Sequence, residues 1–115
     1  MADITLYGLK NCDTCKKALR ALEAAGHTLH FIDIRAEADL AVKVPLWLLA
    51  VGADALLNKR STTWRTLEDH EKAAAEAGAV EALLIATPTL IKRPVIERDD
   101  EVMVGWTSKV QSQLL

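Results

Sequence analysis

The sequence has little of what secreted, membrane-spanning or nucleic-acid-binding proteins depend on. Its 115 residues contain two cysteines, both in one C-x-x-C, so they cannot form the disulfide framework of a small secreted domain. The longest apolar run, Val44 to Val51, is about eight residues, far short of the roughly 20 that span a bilayer. The formal net charge is -2, which argues against a general nucleic-acid-binding surface. We therefore expect no membrane role and no direct contact with nucleic acid.

Further absences bear on location and domain organisation. The first residues show neither a cationic start nor the apolar segment of a secretory leader, so we expect a cytoplasmic protein. No internal repeat, low-complexity segment or linker divides the chain. Because 50% of the residues are hydrophobic and 26% are charged, a chain of this length can bury a core without disulfides. We expect a single soluble domain over residues 1–115.

Hydrophobic patterns indicate that strands and helices alternate near the start. We expect a strand at Ile4–Tyr7, an amphipathic helix at Asp13–Ala25 and a second strand at Thr28–Ile34. A strand-helix-strand unit of this length implies two parallel strands joined by a right-handed crossover.

A helical insertion is expected over about residues 39–91. Its first helix should run over Leu40–Val51, and Asp39 looks like the N-cap. After a polar loop, a second helix is expected at about Leu67–Ala77. This second helix has two candidate capping residues, Thr63 and Thr66.

The end of the chain has the pattern of a hairpin followed by a helix. Strands at Val95–Arg98 and Glu101–Val104 flank the tight turn Asp99-Asp100, and Lys109–Leu114 is a terminal helix. Without the insertion, the order of elements matches an α/β fold of the thioredoxin-like (glutaredoxin-like) type, with a mixed four-stranded sheet.

The C-x-x-C lies where the first strand turns into the first helix. Cys12 should be at or just before the helix start, with Cys15 one turn further on nearly the same face. The unpaired N–H groups of a first helical turn favour a thiolate over a thiol, and this spacing would allow an internal disulfide. We expect no metal, because a second ligand pair is missing and no metal spacing relates the histidines, His27, His30 and His70.

Cations gather in three short segments although the chain is acidic overall. The segments have only Asp13 inside or beside them as an acid. If they meet in space they form a local anion-attracting pocket, and otherwise they are three unrelated solvated runs. The cations are Lys10, Lys16, Lys17, Lys59, Arg60, Arg65, Lys92 and Arg93.

Three separated motifs resemble the ArsC/Spx family, and within it the YffB-like branch. They occur in order over nearly the whole chain. The motifs are YGLKNCDTCKK at residues 7–17, LNKRSTTWR at residues 57–65 and PTLIKRPVI at residues 88–96.

The resemblance implies a thioredoxin-like fold with a helical insertion, in which Cys12 is the nucleophile and Arg60 and Arg93 converge on it. It also implies a cis bond between Arg93 and Pro94, which would turn Arg93 towards the thiolate. In arsenate reductases of this family the cysteine attacks arsenate, the arginines hold the oxyanion and glutathione takes over the cysteine adduct. We therefore expect no bound cofactor and glutathione as a co-substrate.

One position departs from the arsenate reductases, which carry a third arginine where this chain has Trp106. Because an indole cannot replace a charged guanidinium fork, we expect a thiol substrate rather than arsenate. The two carboxylates of glutathione suit the arginines and the nearby lysines. These candidate substrate-binding residues are Lys10, Lys59 and Lys92 together with Arg60 and Arg93.

Three functions follow from the resemblance. The first is glutathione-dependent thiol or disulfide reduction through Cys12, and the second is arsenate reduction. The third is an Spx-like regulator that binds RNA polymerase, with a disulfide between Cys12 and Cys15 as its switch. Cys15 is either a resolving thiol or a packed side chain, and Asn11 either bonds the sulfur or caps the helix.

Overall fold

The computed structural model describes residues 3–74 and 80–115. The chain divides into two compact units, which we call the sheet unit (residues up to Ala38 and from Arg93 onward) and the helical unit (Asp39–Lys92). The elements in chain order are β1 (Asp3–Gly8), α1 (Asp13–Ala24), β2 (Thr28–Asp33), α2 (Leu40–Val51), α3 (Ala53–Leu56), α4 (Thr62–Thr66), α5 (Asp69–Ala74), α6 (Val80–Ala86), a 3-10 turn (Pro88–Leu90), β3 (Val95–Arg98), β4 (Glu101–Val104) and α7 (Ser108–Leu114).

The sheet unit contains a four-stranded mixed sheet in the order β2-β1-β3-β4. β1 pairs in parallel with β2, with Leu6 opposite Phe31, and antiparallel with β3, with Leu6 opposite Ile96. β3 and β4 form the predicted hairpin, and its turn holds Asp99 at φ 53, a conformation that Asp tolerates better than most residues. The predicted α/β, thioredoxin-like fold is confirmed.

Helix α1 covers one face of this sheet because its apolar residues recur at helical spacing. Cys15, Ala18 and Leu22 are fully buried, while Lys16 and Lys17 are exposed. The core also takes in residues from β1, β3, β4 and α7. Its buried members are Ile4, Leu6, Cys15, Ala18, Leu22, Ile96, Met103, Val110 and Leu114.

The helical unit starts with α2, whose bounds were predicted correctly. Asp39 occupies the N-cap position, but its side chain makes no capping hydrogen bond, so the prediction is correct for position only. Trp47 is fully buried, whereas Leu49 is 87% exposed. Gly52 ends the helix at φ 85, a conformation that strongly favours glycine.

The helix predicted at about Leu67–Ala77 is present as α5, which begins two residues later at Asp69, and its predicted end at residue 77 lies outside the described residues. The short helix α4, which ends at Thr66 before an extended Leu67, was not predicted. Thr63 and Thr66, the two candidate caps of the predicted helix, lie inside α4 instead of immediately before α5. The cap of α4 itself is Ser61, whose hydroxyl accepts from the Trp64 N–H at 3.1 Å. Within residues 3–74 and 80–115, no helix has the length and apolarity needed to cross a bilayer.

Candidate active site

Cys12 is the N-cap residue of α1 and follows the short turn that connects β1 to this helix. Its backbone is extended (φ -92, ψ 119), its N–H donates to the Leu9 carbonyl at 3.1 Å, and its carbonyl accepts from the Lys16 N–H at 3.0 Å. The side chain is partly buried and packs against the core of the sheet unit. The expected position of Cys12 at the helix start is confirmed.

The surroundings of Cys12 favour its ionised form. Burial opposes ionisation, but the backbone N–H and the thiol of Cys15 and the Arg93 guanidinium outweigh it, so the pKa of Cys12 lies below its ordinary value. The sulfur makes no capping hydrogen bond of standard geometry to α1, so the Cys15 N–H acts on it mainly through charge and dipole. At neutral pH Cys12 therefore carries more thiolate than an unperturbed cysteine does.

Cys15 has the opposite character. Its side chain is 0% exposed, and burial, together with the neighbouring Cys12, raises its pKa to about 11. A Cβ placed on Gly8 would lie 2.5 Å from the Cys15 sulfur, so only glycine fits at the end of β1 without a shift. Both cysteines are free thiols. Cys15 is thus a packed side chain that contributes to the environment of Cys12.

Arg93 reaches the same site from the start of the third strand. Its half-buried guanidinium is among the groups that lower the pKa of Cys12. The Arg93–Pro94 peptide bond is cis, as the resemblance implied. Pro94 is buried, and its carbonyl accepts from the Gly105 N–H at 2.8 Å, which ties this corner to the end of β4.

The two residues before Cys12 contribute less. Asn11 is exposed and is not the N-cap of α1, because Cys12 occupies that position. Lys10 is exposed too, and its charge adds a minor contribution to the lowered pKa of Asp33, which is caused mainly by the N–H groups of Arg35 and Ala36.

Trp106 stands where the resemblance places a third arginine. It is partly buried and packs against the core cluster of the sheet unit, and its carbonyl accepts from the Gln111 side chain at 3.2 Å. The indole therefore serves apolar packing, and it supplies no cation to the site.

The other predicted cations lie in the helical unit. Lys59, Arg60 and Lys92 line one cavity of about 300 Å³. The remaining lining residues are Asp54, Leu57 and Asn58. Two of the three cationic segments therefore meet within this unit. The convergence of Arg60 on Cys12 stays a prediction, because Arg60 belongs to the helical unit.

An antiparallel bridge between Leu57 and Ile91 builds this cavity. The Lys92 N–H donates to the Leu56 carbonyl at 2.7 Å, and the Asn58 N–H donates to the Leu90 carbonyl at 2.8 Å. These bonds join segments more than thirty positions apart, a pairing that no local pattern reveals.

Sequence reasoning missed several residues of these sites. Asn58 accepts from the Arg60 N–H through its Oδ1 at 3.1 Å and so shapes the loop, which an Asx-type signal could have indicated. Asp54, the acid of the cavity, and Gly8, which makes room for Cys15, gave no signal in the sequence. Among the described residues, no group of three or more His, Cys, Asp or Glu is placed to hold a metal ion.

Comparisons with known proteins agree with this geometry. An uncharacterised protein of Haemophilus influenzae is 41% identical over 108 residues, which cover 92% of this chain and 93% of the relative. The solved structure named YFFB (PA3664) protein is 32% identical at a TM-score of 0.87, covering 97% of this chain and 98% of its own. An arsenate reductase (ArsC) related protein of Brucella melitensis is 36% identical at a TM-score of 0.73, covering 96% and 92%. The ArsC family model matches residues 7–113, and this chain therefore belongs to the ArsC family.

Proposed function

We propose that the protein is a glutathione-dependent thiol oxidoreductase that reduces mixed disulfides through Cys12. The observation that carries this proposal is the position of Cys12 at the start of α1 beside Arg93, with its pKa lowered. A thiolate is the nucleophile in thiol-disulfide exchange, and a low-pKa thiol is also a good leaving group in the second half of the reaction.

The reaction has two exchanges. The Cys12 thiolate attacks the glutathione sulfur of a mixed disulfide, forms a Cys12–glutathione disulfide and releases the substrate thiolate, which takes a proton from water. A glutathione thiolate then attacks the glutathione sulfur of this adduct, so that Cys12 leaves as a thiolate and oxidised glutathione is released. In the net reaction one free glutathione thiol is oxidised, the substrate half of the mixed disulfide is released as a thiol, and the two glutathione units leave as oxidised glutathione.

Free glutathione, rather than Cys15, is the second thiol in this proposal. Cys15 is 0% exposed and its pKa is raised to about 11, so it holds very little thiolate at neutral pH. The thiol wedged against Gly8 has little room to move. We propose the cytoplasm as the location, because a reducing glutathione pool is available there.

Turnover of the mixed disulfide of glutathione and 2-mercaptoethanol, coupled to glutathione reductase and NADPH, tests the proposal. Cys12→Ser should abolish turnover, because a hydroxyl at neutral pH is not a nucleophile in this reaction. Cys15→Ser should retain activity with the same dependence on glutathione. Equal loss of activity in both variants would reject the glutathione-resolved mechanism.

Arsenate reduction is a second candidate, supported by the cationic Arg93 beside Cys12 and by the relative described as arsenate reductase related. Against it, the apolar packing of Trp106 leaves one charged contact fewer, at a cost of about 1.5–3 kcal/mol of oxyanion binding. We expect arsenate-dependent oxidation of NADPH to be at least about tenfold slower than mixed-disulfide reduction. If arsenate were reduced faster than the mixed disulfide, arsenate reduction would become the preferred function.

An Spx-like regulatory role is the third candidate, supported by the proximity of Cys12 and Cys15 in the core of the sheet unit. In that case a disulfide between them would control binding to RNA polymerase. A pull-down with the polymerase alpha subunit, under oxidising and reducing conditions, tests it, and redox-dependent capture that Cys15→Ser abolishes would favour regulation over catalysis.

A further inference from the structure

The cavity of the helical unit has a charge pattern more specific than a general attraction for anions. Three cations, Lys59, Arg60 and Lys92, share its wall with one carboxylate, Asp54. At about 300 Å³ its volume is at the small end of ligand pockets, which matches one end of a small peptide better than an inorganic ion.

Glutathione carries the complementary pattern, with two carboxylates and one ammonium group. We propose that this cavity binds the γ-glutamyl end of glutathione, with Asp54 pairing with the ammonium group and Arg60 with the α-carboxylate beside it. Lys59 and Lys92 supply the remaining positive charge. The inference rests on the proposed function, and it deepens that function by naming the part of glutathione that is recognised.

The backbone of the cavity is held firmly enough for such selectivity. The bridge between Leu57 and Ile91 fixes two of its walls, and the Asn58 side chain accepts from the Arg60 N–H. The Lys59 Nζ lies 5.7 Å from the centroid of the Trp64 ring, which limits the positions of its charge. Preorganised charges lose less conformational entropy on binding than freely moving ones do.

The role of Asp54 distinguishes this inference from a plain anion site. A wall of cations alone would bind phosphate, glutarate or either end of glutathione with little preference. A carboxylate among the cations weakens the binding of simple anions and strengthens the binding of a zwitterionic head. Blocking the ammonium group of the ligand should therefore weaken binding, and removing the charge of Asp54 should cancel that effect.

Calorimetric titration of the Cys12→Ser protein tests this without thiol chemistry. The probes are S-methylglutathione, its N-acetylated form, and glutarate. We expect the N-acetylated probe to bind about tenfold more weakly than S-methylglutathione, and glutarate to bind more weakly still. When Asp54→Asn is added to the Cys12→Ser protein, S-methylglutathione and its N-acetylated form should bind with the same affinity.

The cationic wall is tested by Lys92→Gln in the same background, which should weaken the binding of S-methylglutathione about tenfold. Lys109→Gln removes one exposed lysine of α7 and serves as the matched charge control, with affinity unchanged. Chemical shifts of the backbone amides at residues 54–60 should move with the probe and not with the control substitution.

Two results with the Cys12→Ser protein that retains Asp54 would overturn the inference. One is equal affinity for S-methylglutathione and its N-acetylated form, and the other is an affinity for glutarate equal to that for S-methylglutathione. Failure of the inference is separable from failure of the proposed function. If the wild-type protein turns over but shows no preference for a ligand with a free ammonium group, only the inference is overturned. If the cavity binds selectively but the wild-type protein shows no turnover, the glutathione-dependent mechanism is overturned.

Discussion

The sheet unit and the helical unit present their functional groups in opposite ways. Cys12 is partly buried at a helix start, and its chemistry is set by the Cys15 backbone and by Arg93. The three cations that line the cavity of the helical unit are exposed side chains on a loop and on the segment it pairs with. The ionisation of Cys12 is favoured by the Cys15 N–H and thiol and by the Arg93 charge against the effect of burial, whereas the recognition that we propose relies on solvent-exposed charge.

The difference matters for how each unit tolerates change. A buried sulfur that touches a backbone position has no room for added atoms, while an exposed lysine can be replaced at little cost to folding. Substitutions around Cys12 should therefore affect stability and reactivity together. Substitutions of the cavity cations should affect binding much more than stability.

Gly8→Ala should give the largest effect on stability. Its new Cβ would meet the Cys15 sulfur at 2.5 Å, and relieving this overlap costs about 1–3 kcal/mol of the free energy of unfolding. Urea unfolding measures the loss. Adding Cys15→Ala should recover part of it, because the alanine has no sulfur to clash. An equal loss in both backgrounds would mean that strain elsewhere in β1 is responsible.

Arg93→Gln should have the next largest effect, on reactivity. Removing the guanidinium raises the pKa of Cys12 from its lowered value, so alkylation by iodoacetamide at pH 7 should slow about tenfold. The midpoint of the alkylation rate as a function of pH should move to higher pH, because the Cys12 thiolate then forms only at higher pH.

Arg98→Gln is the matched control for Arg93→Gln. The Arg98 guanidinium donates to the Gln113 carbonyl and to Glu101, and it is not among the groups that act on Cys12. Its pH profile should coincide with that of the wild type. If the pH profile shifts equally in Arg93→Gln and Arg98→Gln, the effect is due to the change in net charge and not to the contact of Arg93 with Cys12.

Cys15→Ala should have a smaller effect in the same direction. It removes the thiol that stabilises the Cys12 thiolate but keeps the backbone N–H, so alkylation at pH 7 should slow about threefold. Cys15→Ser restores a donor and should restore most of the rate. If Cys15→Ser is alkylated no faster than Cys15→Ala, the Cys15 thiol contributes packing only and does not stabilise the Cys12 thiolate.

Lys59→Gln should have the smallest effect on folding. It removes the contact of the Lys59 Nζ with the Trp64 ring, worth about 0.5–1 kcal/mol at an exposed site. The urea midpoint should fall slightly, compared with no change in Lys109→Gln. A loss above about 2 kcal/mol would contradict the view that the cavity cations are dispensable for folding.

Local signals predicted much of the sheet unit. The hairpin strands at Val95–Arg98 and Glu101–Val104 follow from their patterns and from the two-residue turn, and α1 follows from apolar spacing. The helical block was harder, because α4 was not predicted and the two threonines expected to cap the next helix lie inside it. Only the folded loop, in which the Ser61 hydroxyl accepts from the Trp64 N–H, defines where α4 begins.

The sequence by itself determined that a cysteine stands at a helix start, because a strand, a turn and an amphipathic helix are encoded by neighbouring residues. Tertiary structure alone decided that Cys15 is buried against Gly8 and that Asp54 joins Lys92 in one cavity. Burial and long-range pairing depend on chain segments that are distant in sequence, so no local pattern carries them.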